Sequence, residues 1–251
     1  WRDWSSDVCS SDLDTVTFAG TLTGTGGVNV ASGILMLTGA FSNGGTNSIS
    51  SGAVLQVGDA TTNGTLGSVT NSGTLKFRNN GTAQAYAGSI GGAGAVIFDA
   101  GTVVLTGSLS SNGAATTTVS SLATLQVGNG TASTSFASNV ADNGTVDFWL
   151  NSTPLTYAGT LSGSGSVKLT SGSIVFTGGN SYAGVTTIAS GATLQLGNNG
   201  TTGSIAGNVA NDGSLIINRG PLVTSTASFN GNISGAGSLT LNGTGIVTFT
   251  G

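Results

Sequence analysis

The segments SVKLTSGSIVF from Ser166, TTIASGATLQL from Thr186 and NVANDGSLII from Asn208 follow one another along the chain, and each consists of two short apolar strands joined by a glycine turn. Within the strands, apolar residues such as Leu194 and Leu196 stand two apart, which is typical of a strand with one buried face. A parallel β-helix and an antiparallel sandwich or barrel of hairpins both fit such strands. Equivalent strands recur at about 20 residues, the length of one solenoid coil, and this favours the parallel β-helix.

The same unit recurs along the whole chain. The tetrapeptide LQVG begins at Leu55 and at Leu125, and LQLG begins at Leu194, so the motif returns after about 70 residues each time. The sequence therefore predicts an all-β fold, a right-handed parallel β-helix of about ten coils with three coils per repeat of about 70 residues. Leu122 takes the place of glycine in the fifth turn, and the predicted structural turn residues are Gly33, Gly52, Gly73, Gly101, Gly144, Gly172, Gly191 and Gly213. We expect these SG, NG, DG and AG turns to use the positive φ that glycine accepts.

Residues 14–251 are predicted to form a single repetitive domain, with units at approximately 18–85, 86–156 and 157–228 and a partial unit at 229–251. The preceding residues, WRDWSSDVCSSDL, share nothing with the repeat. Their reverse translation resembles a short-read sequencing adapter, so we interpret residues 1–13 as a non-native, adapter-derived segment rather than a genuine leader. Cys9 then gives no information on redox compartment or catalysis. The chain is expected to be a fragment of a longer protein.

Strand alternation predicts which side chains face the interior. Lys76 and Asp147 stand between apolar neighbours and are expected to face solvent. The inward columns are expected to contain Leu55, Val57, Leu75, Phe77, Leu125, Val127, Val146, Phe148, Leu194 and Leu196. Four aromatic residues recur at one place in the repeat, and core or edge packing is favoured for them over an outer stripe that binds carbohydrate; they are Phe18, Tyr86, Tyr157 and Phe229.

Charge and composition argue against several functions. From Asp14 onward the chain has six aspartates and four basic residues, with no glutamate and no histidine. The basic residues do not cluster, so a nucleic-acid partner is not expected. No run approaches the roughly 20 apolar residues of a transmembrane helix, so membrane insertion by this segment is not expected either.

Catalysis would have to use aspartate, because histidine and glutamate are absent and no nucleophile triad can be assembled. Asp142 and Asp147 are the one close pair, and acidic pairs do cleave polysaccharides on some β-helices. Asp142, however, stands in the turn position of Asn71 and Asn211, and Asp147 takes a solvent position. We therefore predict no catalytic residue, no cofactor and no enzymatic activity.

Metal and ligand motifs are equally weak. Asp99 follows a glycine-rich stretch, but its spacing does not match the calcium-binding nonapeptide, and no metal site is predicted. The Gly-x-Gly motifs precede no helix and are interpreted as turns. The candidate contact residue is Trp149, which stands where other units have Arg78 and Asn218, and its indole is expected to be exposed.

The motifs G-x-G-S-V-x-L, SGxxxLTG, the YAG aromatic, TTI-x-SGATLQLG and N-x-G-[TS]-L together resemble the autotransporter-associated β-strand repeat, with the best match over residues 160–217. The resemblance implies a secreted or cell-surface bacterial protein in which the β-helix is a stalk or passenger. It also implies a C-terminal membrane β-barrel translocator outside this sequence. The repeat of that family has no catalytic motif to transfer.

Three functions follow as hypotheses. The first is a structural or adhesive surface module, secreted or attached to the outer membrane, with host or environmental glycans or proteins as partners. The second is a polysaccharide-active lyase or hydrolase that would need a groove lined by carboxylates. The third is a flat threonine face for glycans or ice, suggested by Thr116, Thr117 and Thr118 beside Thr124, although such threonines do not align between repeats.

Overall fold

Short strands account for the regular structure of the chain. The computed structural model describes residues 15–111, 117–131, 134–221 and 227–251, so the predicted leader at residues 1–13 and Thr116 lie outside the described residues. Within those ranges the elements are β1 Thr15–Phe18, β2 Leu22–Gly24, β3 Asn29–Val30, β4 Ile34–Leu37, β5 Phe41–Asn43, β6 Asn47–Ile49, β7 Val54–Val57, β8 Val69–Asn71, β9 Thr74–Arg78, β10 Gln84–Tyr86, β11 Ser89–Gly92, β12 Ala95–Leu105, β13 Ser108–Ser111, β14 Thr117–Val127, β15 Ser135–Phe136, β16 Val140–Asp142, β17 Thr145–Trp149, β18 Leu155–Tyr157, β19 Leu161–Ser162, β20 Ser166–Ser171, β21 Ser173–Phe176, β22 Thr186–Ile188, β23 Thr193–Gly200, β24 Val209–Asn211, β25 Ser214–Arg219, β26 Ala227–Phe229, β27 Ile233–Ser234, β28 Ser238–Gly243 and β29 Val247–Phe249.

The chain coils so that each strand lies parallel to the strand one turn later. One turn runs through β9, β10 and β11 and returns in β12, whose first residues pair with β9 and whose last residues pair with β10. Pairing between equivalent strands gives long ladders rather than hairpins. The predicted all-β parallel solenoid of about ten turns is confirmed. The part of the chain that the structure describes has no helix long and apolar enough to cross a bilayer.

The ladders form the sides of the coil. Ladder 1 contains β1, β4, β7, β9, the first halves of β12 and β14, β16 and β19. Ladder 2 contains β10, the second halves of β12 and β14, β17, β20, β22, β24 and β27. The third side is formed by two sheets, which are β3, β6, β8, β11, β13, β15 and β18, β21, β23, β25, β28. The long strands β12 and β14 pass through a corner and thereby join ladders 1 and 2.

The sequence repeat is longer than three turns. Leu55 is aligned with Leu75, which is aligned with Val96, and Val96 with Thr117. Leu125, the repeat equivalent of Leu55, lies beyond Thr117 in ladder 2. Leu194 lies on the remaining side, aligned with Ile174 and Leu215. Each repeat therefore makes three turns and about a further third. The predicted inward residues are buried, and Leu55, Leu125 and Leu194 lie in three different columns, because the repeat exceeds the predicted three coils by about a third of a turn.

Aromatic rings fill the interior between turns. Phe148 is fully buried, and its ring centroid lies 5.9 Å from that of Phe176. Phe136 stacks on Tyr157 at 5.3 Å and connects the two sheets of the third side. Tyr86, Tyr157 and Phe229 are buried and Phe18 packs against the core, which confirms the expected core packing of these four residues. Burial raises the pKa of the Tyr157 phenol, whose hydroxyl donates to the Ser138 carbonyl over 2.7 Å.

The predicted turn glycines fall into two groups. The first group has φ between 69° and 82°, as expected, and consists of Gly33, Gly52, Gly101, Gly172 and Gly191. Gly73, Gly144 and Gly213 do not have positive φ, and there the expectation is wrong. A Cβ at any of these three positions would lie 2.3 to 2.4 Å from two carbonyl oxygens of the preceding turn, so glycine is needed because backbones approach closely. At Leu122 strand β14 continues without a turn, and the side chain is exposed.

Candidate functional site

A row of outward side chains follows ladder 2 across the middle of the solenoid. Gln126 is aligned with Asp147, Asp147 with Lys168, and Lys168 with Thr187. These residues alternate with buried ones such as Val146 and Phe148, so they share the outer face of the ladder. Trp149 ends strand β17 on this face, two residues after Asp147, and 41% of it is exposed. The expected exposure of its indole is therefore found.

The indole of Trp149 lies against a glycine of the preceding turn. The Gly130 amide donates to the Trp149 carbonyl over 2.8 Å. A Cβ on Gly130 would lie 2.7 Å from the indole Nε1 and 3.2 Å from Cδ1, so any larger residue would displace the ring. Ala60 and Asn199 occupy the corresponding loop position, and all three residues have positive φ. Positive φ at this position is therefore common to the three repeats, and glycine at position 130 leaves space for a tryptophan.

Polar groups lie on the same face of the ladder as the indole. Thr170 donates its hydroxyl proton to Asp147 Oδ1 over 2.7 Å, and Lys168 Nζ lies 3.8 Å from Asp147 Oδ2. Asp147 is 9% exposed, whereas the Lys168 side chain is half exposed, so the ion pair adds little stability. The result is an aromatic surface beside hydrogen-bonding groups that are already oriented. An aromatic face with adjacent polar groups suits a partner with both apolar and hydroxyl surface.

The two candidate catalytic aspartates are not brought into one groove. Asp142 lies in ladder 1, is fully buried, and accepts a hydrogen bond from the Gly144 amide over 2.9 Å. Asp147 lies in ladder 2 and is engaged by Lys168 and Thr170. Burial raises the pKa of Asp142 to about 6, against the smaller opposing effect of the Gly144 hydrogen bond. A displaced pKa is common at active sites, but here the carboxyl faces the packed interior.

Asp99 takes part in ion pairs. It follows a glycine-rich stretch and was therefore considered as a calcium ligand. Its Oδ2 lies 3.2 Å from Lys76 Nζ and 3.5 Å from Arg78 Nε. A carboxylate held by two cations is a poor starting point for a cation site. Among the residues that the structure describes, no three acidic, histidine or cysteine side chains group together as metal ligands would. Of the residues suggested for a threonine face, Thr117 is buried and its hydroxyl shares a hydrogen bond with that of Ser138, and Thr116 lies outside the described residues.

Several buried polar residues could not be predicted from the sequence, and Arg219 and Asn47 are examples. Arg219 is 8% exposed and occupies the end of β25, where its Nη1 donates to the Thr201 carbonyl over 2.8 Å. Burial lowers the pKa of this guanidinium. Asn47 is fully buried and bonds the Asn43 side chain over 2.8 Å. Polar residues in glycine-rich sequence are usually assigned to the surface, and no local pattern marked these as internal.

Comparison with known proteins gives no match to a family model, to a curated protein or to a solved structure. The likeness to the autotransporter-associated repeat therefore rests on the sequence motifs quoted above.

Proposed function

We propose that this chain is a structural and adhesive surface module, a β-helical stalk or passenger segment of a secreted bacterial protein of the autotransporter kind. The observation that supports it is the continuous stacking of turns around an apolar interior. Such a stack is a rod of roughly 50 Å at about 4.8 Å per turn. Its length and stiffness serve to hold other parts of a protein away from a surface. In the complete protein we expect a C-terminal β-barrel translocator and a location at the cell surface.

We also propose that the segment has no enzymatic activity and needs no cofactor. The polysaccharide-active alternative requires carboxylates that face one another across a groove. Asp142 and Asp147 instead point to different environments and have different partners. Partners of the module are expected to be glycans or proteins on a host or environmental surface, and not nucleic acids.

Deleting one whole repeat tests the stalk proposal. Removal of residues 86–156 joins Ala85 directly to Tyr157, which is the repeat equivalent of Tyr86. Turns of a solenoid contact only their neighbours, so the remaining turns should restack. We expect the far-UV circular dichroism per residue to stay unchanged and the maximum dimension in small-angle X-ray scattering to fall by about 16 Å at ~4.8 Å per turn. Loss of the β signal, or an unchanged maximum dimension, would argue against a modular stalk.

A second, more specific function is favoured by Trp149. We propose that its exposed indole is a contact point for the apolar face of a sugar ring, with the half-exposed Lys168 ammonium, 3.8 Å from Asp147, available to sugar hydroxyls. Truncation of an anchoring tryptophan commonly costs about 2 kcal/mol or more, and about 1.4 kcal/mol already corresponds to a tenfold change in affinity. Trp149→Ala should therefore weaken binding to a responsive polysaccharide about tenfold or more. Titration calorimetry against a panel of neutral and acidic polysaccharides measures the change.

The control for this experiment is Leu122→Ala, because Leu122 is 79% exposed and precedes the part of β14 that pairs with β17, whereas Trp149 lies at the far end of β17. It should bind as the parent does, whereas Trp149→Phe should retain part of the affinity. If no polysaccharide in the panel binds, or if both alanine variants lose affinity equally, Trp149 is not a glycan contact. That result would leave the stalk proposal untouched.

A further inference from the structure

Asn71, Asp142 and Asn211 occupy the same position in three successive repeats. In each case the side-chain Oδ1 accepts the amide proton of the glycine two residues later, over 3.1, 2.9 and 3.1 Å respectively. Each residue also gives its backbone carbonyl to a glycine of the next turn, over 2.9, 2.8 and 2.7 Å. All three side chains are at most 3% exposed. The local backbone is thus the same in the three repeats, and only the side chain differs.

The second side-chain atom has a partner at Asn71 and Asn211 but not at Asp142. Asn71 Nδ2 donates to the Ala95 carbonyl and Asn211 Nδ2 to the Ser238 carbonyl, each over 2.8 Å. Ala95 and Ser238 begin the next strand opposite Thr74 and Ser214, and the residue in that place for Asp142 is Ser166, opposite Thr145. A carboxylate oxygen cannot donate to a carbonyl. Asp142 Oδ2 is accordingly buried and has no hydrogen-bond partner among the residues that the structure describes.

Within the described part of the chain, the surroundings of Asp142 offer no compensating positive charge. Strands β14 and β19, which pair with β16 on either side, contain no charged residue. The Asp142 charge acts on the Tyr182 phenol. The pKa of that phenol is raised mainly by burial and to a smaller extent by the Asp142 charge. On β17 and β20, Asp147 and Lys168 are outside and pair with each other. Burying an unpaired carboxylate is costly, and the group takes up a proton instead.

We propose that Asp142 is a pH-sensitive link between adjacent turns: its protonated carboxyl donates to the Ser166 carbonyl, as the asparagines do elsewhere, and loss of the proton removes that hydrogen bond. The proton stays with the folded protein at a pH where the unfolded chain has already released it. The central repeat then holds its turns more firmly in mildly acidic surroundings than at neutral pH. The flanking repeats, which carry amides at this position, lack this dependence.

The direction of the effect follows from linkage. The folded-state pKa of about 6 lies above the ordinary value of 3.8, so the stabilisation is complete below about pH 4 and is lost as the pH rises to about 6. The difference between these two pKa values corresponds to a roughly hundredfold change in the unfolding equilibrium constant. The contribution of every other ionisable group is common to the parent chain and to an Asp142 variant and cancels in the difference.

The experiment compares the parent chain with Asp142→Asn by urea unfolding, followed by circular dichroism between about pH 4 and pH 8. Asn supplies the donor at every pH, so the two proteins should be similar at pH 4, and the variant should be the more stable at pH 7 by up to about a hundredfold in the equilibrium constant. The reciprocal variant Asn71→Asp should acquire a fall in stability between pH 4 and pH 7. Carbon-13 carboxyl NMR of the parent chain should give an Asp142 titration well above the ordinary pKa of 3.8.

Three results would overturn the proposal. The first is an Asp142 carboxyl that titrates near its ordinary pKa of 3.8. The second is a difference in stability between the parent and Asp142→Asn that does not change with pH. The third is an Asp142→Asn variant that is less stable than the parent at pH 7. Should Asn71→Asp fail to fold at neutral pH, folding restored at pH 4 would still support the proposal. The NMR titration decides the question without any substitution.

Discussion

Gly213→Ala is expected to destabilise the solenoid by about 3 kcal/mol, at the upper end for overpacking in a rigid environment. The new Cβ would lie 2.4 Å from the carbonyl oxygens of Ala189 and Ala192. Neither oxygen can move away freely, because the first accepts the Ala192 amide over 3.0 Å and the second accepts the Ser214 amide over 2.9 Å. Relief of the clash would therefore break contacts between turns. Urea and thermal unfolding followed by circular dichroism measure the loss.

Two other glycines provide matched controls. Gly191 has φ of +81° but open space around a Cβ, so Gly191→Ala should cost only about 1 to 2 kcal/mol for the left-handed conformation. Gly81 has open space and no positive φ, and Gly81→Ala should change stability by no more than about 0.5 kcal/mol. The expected order of destabilisation is Gly213 first, Gly191 second and Gly81 last. Equal effects at Gly213 and Gly81 would show that the backbones do not approach as closely as described.

Phe148→Ala is expected to cost about 3 to 5 kcal/mol, the usual range for removing a buried phenylalanine. The side chain is fully buried, and its ring centroid lies 6.1 Å from Phe136, 6.4 Å from Tyr157 and 5.9 Å from Phe176. These rings come from different turns, so the cavity would weaken the contacts between neighbours on which a solenoid depends. Unfolding in urea should shift to lower concentration and separate into two steps as the halves lose their coupling.

The matched control for the core prediction is Leu122→Ala, also a large apolar residue of ladder strands but 79% exposed. Its removal should alter stability by less than about 0.5 kcal/mol. A Phe148→Ala protein that unfolds with the parent would mean that the aromatic rings do not bridge the turns.

The fold class could be predicted from sequence because strand alternation and turn glycine recur together. Leu194 and Leu196 point inward for the same reason that Phe148 does. Equivalent strands recur at a spacing that matches a solenoid coil and is too long for a tight hairpin. The burial of the recurring aromatics could be predicted in the same way. These features are local or periodic, and each is repeated often enough to be read directly.

The extra third of a turn in each repeat could not be predicted from the strand alternation and the turn glycines. Each turn contains three strands, and some of them, such as β10 and β11, are short and lack a strong apolar alternation. Counting glycine turns therefore overlooks one side of the coil. Because the repeat is about a third of a turn longer than three turns, loops of equivalent sequence emerge on different sides. Trp149 is thus displayed on one side only, whereas Arg78 and Asn218 lie on other ladders.

The role of the position shared by Asn71, Asp142 and Asn211 could not be predicted from the sequence either. Their equivalence is visible in the sequence and suggested a turn, but turn residues are usually exposed. Their burial follows from Gly94, Gly165 and Gly237 of the next turn, where a Cβ would lie within 2.6 Å of the side chain. That contact joins residues that are distant in sequence, and it exists only once the register between turns is known.

The central claim is that the chain is one continuous parallel stack, and a distance between spin labels tests it most directly. Val104 and Ser234 lie on ladder 2, and successive alignments through Gln126, Asp147, Lys168, Thr187 and Ala210 separate them by six strand steps. Labels at Val104→Cys and Ser234→Cys, in a chain with Cys9→Ser, should give a narrow distribution centred at about 29 Å, from a step of about 4.8 Å. A broad distribution, or a distance under about 15 Å as adjacent hairpin strands would give, would contradict the stack.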